Sequence, residues 1–337
     1  MEKDLSRLEE RVISMLKKDN ISSDAIAEEL RLDPEFVDYV IDRIRERIPV
    51  RSVRQNGVER HNINVHPDIG NVYDFGGHDG KRHTWSFAYM GDTHVASIFH
   101  LPKTTHAALD RLVDLGVKHV FHSGDVIDGR GIYKGHSENI VSGDIEVQTD
   151  MAAELFSRYD GKLRFNAISG NHDFSFTQLT GARPLAIIEA KTNNFKNLGD
   201  LRADVLVNDL RIRLLHGAGG RSYAVSYPSQ TYLRDYFKGL DREQMTEIPH
   251  FLFLGHFHTK YHSKDHGIEV FQPGSFQDGD NEYCVRRGLT GPAGLWHLEV
   301  THTGAVIEEL KATYIQPVQA RKEKGSAFAS MSKSYSR

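Results

Sequence analysis

Five short segments share one design, and this design constrains the fold more than any other feature of the chain. In each segment an apolar run leads directly into residue types that bind metals: residues 89–94, 121–128, 168–173, 214–217 and 253–258. This pattern is typical of an α/β domain, in which strand ends open onto the loops where sites form. A side chain just past a strand end is held by a rigid element and still reaches open space.

The residue types in these segments indicate divalent metal ions. The Asp-x-His at residues 92–94 and the His-x-His at residues 256–258 let alternate side chains point to the same side. Glycine precedes Asp125, Asn171 and His256, which allows the backbone to turn tightly. Carboxylate, amide and imidazole ligands suit Mn, Fe, Zn or Mg, whereas thiolate clusters need several cysteines. Two such ions can clamp the attacking and leaving oxygens of a phosphoryl transfer.

In their order along the chain, the five segments resemble the motifs of the calcineurin-like metallophosphoesterase superfamily. These motifs are D-x-H, GDxxD, GNH-D/E, a histidine after a strand, and GHxH, and all five are present over residues 90–258. The resemblance implies a two-layered β-sandwich flanked by helices. It also implies a metal-dependent phosphoesterase with two divalent ions, with Mn²⁺ expected and Mg²⁺, Fe or Zn²⁺ as alternatives.

The resemblance also assigns seven metal ligands, three to each ion and one shared. The first ion would be held by Asp92, His94 and His258. The second ion would be held by Asn171, His216 and His256. Asp125 would bridge the two ions.

Three further residues receive roles from the same motifs. His172 would act as the acid or transition-state stabiliser near the leaving oxygen. Asp173 would orient His172, and Asp128 would support the metal ligands from behind. One departure from the motifs is Leu215 before His216, where the superfamily often has a small residue.

Residues 1–65 show a different pattern, with three amphipathic helices followed by a hairpin around Asn56-Gly57. This layout resembles a winged helix-turn-helix, and so predicts a small α+β module before the α/β domain. Arginines on the predicted recognition helix and wing suit phosphate contacts: Arg43, Arg47, Arg51 and Arg54. The segment nevertheless has 12 Lys and Arg against 14 Asp and Glu, a net charge of −2. An ordinary solvated surface or a protein-binding module therefore stays open.

The remaining boundaries follow from composition. Residues 66–84 are rich in Gly, Asp, His and Asn and are predicted to be a linker, and residues 85–315 the catalytic domain. Residues 316–337 are poor in apolar residues and rich in Lys and Arg, which predicts a flexible basic tail. The single cysteine, Cys284, excludes an intrachain disulfide. No apolar run reaches the roughly 18 residues of a membrane span, and the charged N-terminus is unlike a secretory signal, so a cytoplasmic protein is expected.

Two short stretches indicate the substrate class. Residues 124–135 resemble part of the small subunit of archaeal family-D DNA polymerase, and residues 272–277 resemble both that subunit and the nucleases of double-strand-break repair. The resemblance implies a phosphodiesterase acting on DNA as a 3′-to-5′ exonuclease, with a DNA-repair or replication protein as partner. Arg130 and Tyr133 would contact phosphate or stack on a base, although a plain surface loop is an equal alternative. A phosphatase, a cyclic-nucleotide phosphodiesterase and a non-catalytic accessory subunit also stay open.

Overall fold

The structure is a computed structural model of the 337-residue chain. It describes residues 2–16, 21–45, 50–55, 58–62, 70–220, 224–240, 248–279, 285 and 292–318. The chain divides into two compact units, the first comprising Met1–His66 with Thr177–Ala182 and the second Pro67–Phe176 with Arg183–Arg337. Among the described helices, none is long and apolar enough to cross a membrane.

The N-terminal residues form three helices and an antiparallel strand pair, in the predicted order. The elements are α1 (Glu2–Leu16), α2 (Ser23–Leu30), α3 (Pro34–Arg45), β1 (Arg51–Gln55) and β2 (Val58–Asn62). Ser22 caps α2 by accepting a hydrogen bond from the Ala25 amide at 3.2 Å. Buried apolar residues of all three helices, among them Val12, Ile26 and Val40, pack into one core. The predicted turn at residues 56–57 lies outside the described residues, and the winged-helix assignment stays a prediction.

The second unit contains two six-stranded mixed sheets. The first sheet runs β14 (Val306–Ile315), β13 (Leu295–Thr303), β4 (Arg82–Met90), β5 (His119–His122), β6 (Arg164–Ser169) and β7 (Phe195–Asp200). The second sheet runs β11 (Lys260–Asp265), β12 (Ile268–Pro273), β10 (Phe251–Gly255), β9 (Leu210–His216), β8 (Arg202–Val207) and β3 (Asn71–Asp74). Strands β4 to β7 are parallel neighbours, as are β9 and β10, so their carboxyl ends lie at common sheet edges.

Aromatic side chains fill the space between the two sheets. Phe87 and Phe121 of the first sheet and Phe253 and Phe271 of the second belong to one fully buried cluster. Tyr89 stacks on Phe253 with 4.1 Å between ring centroids. Each fully buried Phe side chain contributes about 1.5–3 kcal/mol through the hydrophobic effect. The two layers therefore share one core, and this core fixes the strand ends relative to each other.

Helices cover the outer faces of the sandwich. A second buried cluster joins alternate residues of β4 to β6 with α4 (Pro102–Asp114), α5 (Ile145–Ser157) and α7 (Pro184–Lys191). On the other sheet, Leu233 of α8 (Tyr227–Gly239) packs against Leu252 and Val270. Helix α6 (Asn171–Thr180) starts directly after β6, and a short 3₁₀ helix spans His136–Glu138. The predicted α/β fold, a two-layered β-sandwich flanked by helices, is confirmed.

The predicted linker at residues 66–84 is wrong in part. Asn71–Asp74 forms β3, which pairs in parallel with β8 at the edge of the second sheet, and β4 already begins at Arg82. A four-residue edge strand leaves almost no periodic signal, because its stability comes from a partner that lies more than 130 residues away in sequence. At the other end β14 stops at Ile315, and residues 319–337 of the predicted tail lie outside the described residues.

Candidate metal centre

The parallel strands deliver the predicted ligands to one edge of the sandwich. Asp92 and His94 follow the end of β4, Asp125 follows β5, and Asn171 follows β6. In the second sheet, β9 ends on His216, and His256 and His258 follow β10. The seven side chains lie in two groups that share a boundary at Asp125.

The first group consists of Asp92, His94 and His258. One ligand atom from each lies within 4.8 Å of the other two, and all three residues are buried. The Nε2 atoms of His94 and His258 are 3.1 Å apart, and His258 Nε2 lies 3.5 Å from Asp92 Oδ1. Two imidazole nitrogens and a carboxylate oxygen thus converge on one small volume, as tetrahedral or octahedral metal binding requires.

The second group consists of Asp125, His216 and His256, again with ligand atoms within 4.8 Å of one another. Asn171 completes it. Its Oδ1 atom lies 2.9 Å from His216 Nε2 and 2.9 Å from His256 Nδ1. Carboxylate, amide oxygen and two imidazoles form a donor set that fits Mn, Fe, Zn or Mg.

Asp125 lies between the two groups. Its Oδ2 atom is 3.6 Å from His94 Nε2 in the first group and 3.3 Å from His216 Nε2 in the second. Its Oδ1 atom accepts a hydrogen bond from the His172 amide at 2.8 Å, which fixes the carboxylate rotamer. This is the position that the sequence predicts for the bridging ligand.

The outward-facing nitrogens of the histidines are held in a way that suits metal ligands. His94 Nδ1 donates to Asp128 Oδ1, His216 Nδ1 to the Ser123 carbonyl and His256 Nε2 to the Gly219 carbonyl, each at 2.8 Å. Each contact sets the tautomer and leaves the lone pair of the other nitrogen facing the site. His94, Asp128 and His172 also form a close cluster, but the Asp128 contact uses the outer His94 nitrogen. We therefore interpret Asp128 as a support of His94 and not as a ligand.

The backbone at the site is strained. Among the eleven described non-glycine residues with positive φ, five are predicted ligands: Asp92 (50°), His94 (46°), Asp125 (54°), His256 (88°) and His258 (52°). Side chains with a Cβ atom rarely adopt this left-handed region, and each such residue costs about 1–3 kcal/mol. Strain of this kind persists only where the surrounding structure over-determines it, and it clusters at functional sites.

One glycine is required by a close approach. A Cβ atom added at Gly170 would lie 2.1 Å from Asp125 Oδ1 and 2.4 Å from the Asp125 amide nitrogen. Any side chain here would displace the carboxylate that joins the two groups. The glycine of the GNHD motif therefore acts by leaving room for Asp125, in addition to permitting the tight turn that the sequence predicts.

The charged groups of the site shift one another's pKa values. Although burial favours the neutral acid, the surrounding His216, His172 and His94 hold the pKa of Asp125 well below its ordinary value. Burial lowers the pKa of His216, but the charge of Asp125 outweighs it and raises that pKa to about 9. By contrast, burial lowers the pKa of His256 to about 4. A potential that draws protons onto His216 also draws cations, and metal binding would displace those protons.

His172 lies at the rim of this centre. Its Nδ1 atom donates to the Asp128 carbonyl at 2.6 Å and lies 3.5 Å from Asp128 Oδ1, and its ring is 4.5 Å from that of His94. Burial works against its charged form, but the Asp125 charge raises the pKa of His172 to about 9. Cations bound at the adjoining ligands would lower that value, since like charges repel.

Asp173 does not contact the His172 ring, contrary to the role that the motifs predict for it. Its carboxylate accepts hydrogen bonds from the amides of Val126 (3.1 Å), Ile127 (2.9 Å) and Gly170 (2.8 Å). Asp173 thereby ties the loop after β5 to the loop after β6. The partner of His172 is the main chain of Asp128, because a side chain next in sequence on α6 points away from its neighbour.

Two buried histidines support the predicted ligands, a role that the motifs do not predict for them. His122 accepts a hydrogen bond from the Gly124 amide at 3.2 Å and lies 3.1 Å from Thr93 Oγ1, so it joins the loops after β4 and β5. His136 lies 3.3 Å from Asp128 Oδ2 and 5.4 Å, ring to ring, from His172. His122 stands inside the second motif segment, which was a usable signal, whereas nothing in the sequence marks His136 as buried.

The predicted nucleic-acid contacts of the N-terminal segment are described only in part. Arg43 Nε forms an ion pair of 2.9 Å with Glu9, an acid that is 4% exposed. Its guanidinium is thus used in holding α3 against α1. Arg47 lies outside the described residues, and of Arg51 and Arg54 the structure describes only the backbone.

The predicted contacts of the second unit are exposed. Arg130 lies on the surface, and its amide donates to Ser175 Oγ at 2.9 Å. Tyr133 is 40% exposed, accepts a hydrogen bond from Asn139 at 3.0 Å and packs on His136 with ring centroids 4.6 Å apart. Through His136 and Asp128 this loop is connected to the metal ligands.

Curated relatives match much of the chain. The DNA polymerase II small subunit of Methanothermobacter thermautotrophicus is 23% identical over 253 residues, covering 63% of this chain and 50% of that protein. The same subunit of Archaeoglobus fulgidus is 24% identical over 169 residues, covering 45% and 33%. The chain thus spans half or less of the length of these relatives. Among solved structures, a novel archaeal phosphodiesterase matches with a TM-score of 0.41 and 16% identity over 68% of this chain and 99% of its own.

A family model decides the assignment. The model of the calcineurin-like phosphoesterase superfamily domain matches residues 86–285, which is more than half of the chain and contains all seven predicted ligands. The resemblance predicted from the five motifs is confirmed. The chain belongs to the calcineurin-like phosphoesterase superfamily.

Proposed function

We propose that this protein is a dinuclear-metal phosphodiesterase that hydrolyses DNA. The observation that carries the proposal is the position of Asp125, whose Oδ2 atom faces a histidine of each ligand group at 3.6 and 3.3 Å. A shared carboxylate between two oxygen- and nitrogen-rich groups is what a pair of divalent ions needs. Mn²⁺ is the proposed metal, with Mg²⁺, Fe or Zn²⁺ as alternatives.

When bound, two such ions supply Lewis-acid stabilisation of the phosphoryl oxygens and a nucleophile at neutral pH. The first ion is assigned to Asp92, His94 and His258, and the second to Asn171, His216 and His256. Asp128 and the Ser123 and Gly219 carbonyls hold three of these imidazoles in one orientation. The chain thus contributes a preorganised site, which lowers the reorganisation needed at the moment of reaction.

His172 is the proposed acid. Its Nδ1 proton is committed to the Asp128 carbonyl at 2.6 Å, so Nε2 is the nitrogen that can serve the substrate. A proton on Nε2 can be donated to the departing sugar oxygen. The Asp125 carboxylate accepts a hydrogen bond from the His172 amide and so fixes the position of His172 relative to the predicted ligands.

DNA is the proposed substrate because the curated relatives are small subunits of a DNA polymerase. The exposed Arg130 and Tyr133 support this choice, since their loop leads through His136 and Asp128 to the ligands. An arginine suits the phosphate backbone, and a tyrosine suits stacking on a base. A replication or repair protein is the proposed partner.

The decisive experiment is digestion of end-labelled single- and double-stranded DNA with Mn²⁺. Loss of nucleotides from the 3′ end by the wild type, abolished in Asn171→Ala and strongly reduced in His172→Ala, would support the proposal. Turnover of p-nitrophenyl phosphate or of a cyclic nucleotide without DNA degradation would contradict it and favour the phosphatase or cyclic-nucleotide alternative. Absence of both Mn²⁺ binding and hydrolysis would favour a non-catalytic accessory subunit.

We further propose that residues 1–65 form a winged-helix-like module that docks on DNA. Because Arg43 is paired with Glu9, its removal would disturb the helices. The test variant is therefore Arg47→Ala with Arg51→Ala and Arg54→Ala. Weaker DNA binding with a flatter salt dependence, at unchanged turnover of bis-p-nitrophenyl phosphate, would support DNA docking. Unchanged DNA affinity would count against it and favour a protein partner.

A further inference from the structure

A cavity of about 660 Å³ lies between the start of α8 and the outer face of β9 and β10. Its walls include Leu215 and Leu254 from the strands, Phe257 from the loop after β10, and Tyr227, Thr231 and Tyr232 from α8. The volume falls within the range of roughly 300–1,000 Å³ that is usual for small-molecule sites. None of the predicted catalytic or DNA-contacting residues explains why this cavity exists.

The cavity and the metal centre share a wall. His216, a predicted ligand of the second ion, lines the cavity, and Phe257 stands between the predicted ligands His256 and His258. The Phe257 ring lies against Gly217, where an added Cβ would be 2.5 Å from Phe257 Cε2. A glycine at this position therefore lets an aromatic ring lie between the second metal group and the cavity. The cavity therefore lies directly beside the second group of predicted ligands.

The chemistry of the lining selects the kind of group that fits. Among the described residues that line the cavity there is no Asp, Glu, Lys or Arg, and both nitrogens of His216 face other groups. This part of the lining thus offers a phosphate no counter-charge. Aromatic faces come from Tyr227, Tyr232 and Phe257, and a hydroxyl comes from Thr231. Such a lining favours a flat, uncharged, partly polar ring, which is the description of a nucleobase.

We propose that this cavity seats the nucleobase of the nucleotide whose phosphate lies at the metal centre. The inference rests on the proposed function and makes it more specific: the enzyme would recognise one nucleotide of its substrate through base stacking. Tyr227, which is 50% exposed, would lie at the entrance and close over the base. Thr231, one helical turn further along α8, would face the ring edge.

Binding to the Mn²⁺-loaded protein tests this directly, with titration calorimetry and three probes. Thymidine 5′-monophosphate carries both phosphate and base, inorganic phosphate carries no base, and hexyl phosphate carries a flexible apolar chain. The variants are Thr231→Trp, which fills the cavity, Tyr227→Ala, which removes a wall, and Tyr227→Phe, which keeps the ring. Val306→Trp, on a residue of β14 that is 67% exposed, is the control for added surface bulk.

We expect the wild type to bind thymidine 5′-monophosphate at least about fivefold more tightly than inorganic phosphate, since stacking on one aromatic ring is worth about 5- to 150-fold. Thr231→Trp and Tyr227→Ala should each weaken nucleotide binding by a similar factor and leave phosphate binding unchanged. Tyr227→Phe and Val306→Trp should bind the nucleotide as the wild type does. If Thr231→Trp does not fold, the Tyr227 pair still decides the question.

Equal affinity of the wild type for nucleotide and phosphate would overturn the proposal, as would variants that leave nucleotide binding intact. Hexyl phosphate bound as tightly as the nucleotide, and weakened equally by Thr231→Trp, would overturn it in favour of an alkyl site. Turnover of bis-p-nitrophenyl phosphate separates this inference from the proposed function. If the protein hydrolyses this diester but binds nucleotide and phosphate equally, only the nucleobase site is refuted. If it is inactive but binds the nucleotide more tightly than phosphate, only the proposed hydrolysis is refuted.

Discussion

The contacts of the Asp128 side chain with His94 and His136 predict a specific failure in Asp128→Asn. The Asp128 carboxylate is buried. Its Oδ1 atom accepts a hydrogen bond from His94 Nδ1 at 2.8 Å, and its Oδ2 atom accepts one from His136 Nε2 at 3.3 Å. His136 Nδ1 accepts the Ile132 amide at 3.3 Å, so its Nε2 carries the proton. Both carboxylate oxygens therefore face N–H donors. Hydrogen bonds from His136, His172 and His94 hold the pKa of Asp128 well below its ordinary value, against the effect of burial.

An asparagine has the same shape but only one acceptor oxygen. In either orientation its NH₂ group meets a histidine N–H, and a buried donor left without an acceptor costs about 1–3 kcal/mol. If the amide faces His94, that ligand loses the partner that fixes its tautomer, and loss of such a partner lowers metal affinity by about 10- to 100-fold. We therefore expect Mn²⁺ affinity to fall by about 10- to 100-fold.

Titration calorimetry with Mn²⁺ on the metal-free protein measures this change. The matched control is Asp114→Asn, the same substitution on an exposed position at the end of α4. In a His136→Phe background the amide can turn its NH₂ toward the phenyl ring, so Asp128→Asn should cost less there than in the wild type. Mn²⁺ affinity within twofold of the wild type in Asp128→Asn, or an equal cost in both backgrounds, would refute the reasoning.

Three further changes test the structure around the site. Asp204→Asn leaves the Arg213 side chain, which is 6% exposed and lies 2.7 Å from Asp204, without its counter-charge. Urea unfolding should show that the free energy of unfolding falls by about 3–5 kcal/mol and is largely recovered when Arg213→Met is added. A decrease below about 1 kcal/mol would contradict this. Gly170→Ala should lower the free energy of unfolding by about 1–3 kcal/mol and weaken Mn²⁺ binding, because the new Cβ atom would clash with Asp125. A variant that binds Mn²⁺ as tightly as the wild type would contradict this. Burial lowers the pKa of His122 to about 3, so between pH 6.5 and 3 the unfolded chain binds a proton that the folded chain does not, and stability falls as pH falls. The urea midpoint of His122→Asn should therefore decline less between pH 6.5 and 4.5 than that of the wild type. If the two proteins decline in parallel, His122 is not neutral in the folded protein.

The sequence predicts much of the second unit because several of its strands are short runs of apolar residues that are buried along their length. In each of the five motif segments the predicted apolar run lies in a strand, namely β4, β5, β6, β9 and β10 in chain order. Ligand positions follow from these strands, since parallel strand ends meet at one edge. A residue that directly follows a buried strand can be placed from local sequence alone.

Other features depend on partners that are distant in sequence. Strand β3 is stabilised by β8, and His172 is held by a main-chain carbonyl 44 residues earlier. The motifs predict that Asp173 orients the neighbouring histidine, but a helix directs successive side chains to different sides. The cavity beside Phe257 is formed by α8, which has no counterpart in the predicted elements. Its lining comes from three segments that no local pattern connects.

Anomalous diffraction from crystals of the protein grown with Mn²⁺ tests the central claim most directly. The proposed assignment predicts two anomalous peaks about 3.5–4 Å apart, with the Asp125 carboxylate between them. Asp92, His94 and His258 should contact one peak, and Asn171, His216 and His256 the other. A single peak, no peak, or two peaks that do not share Asp125 would contradict the dinuclear centre from which the proposed hydrolysis follows.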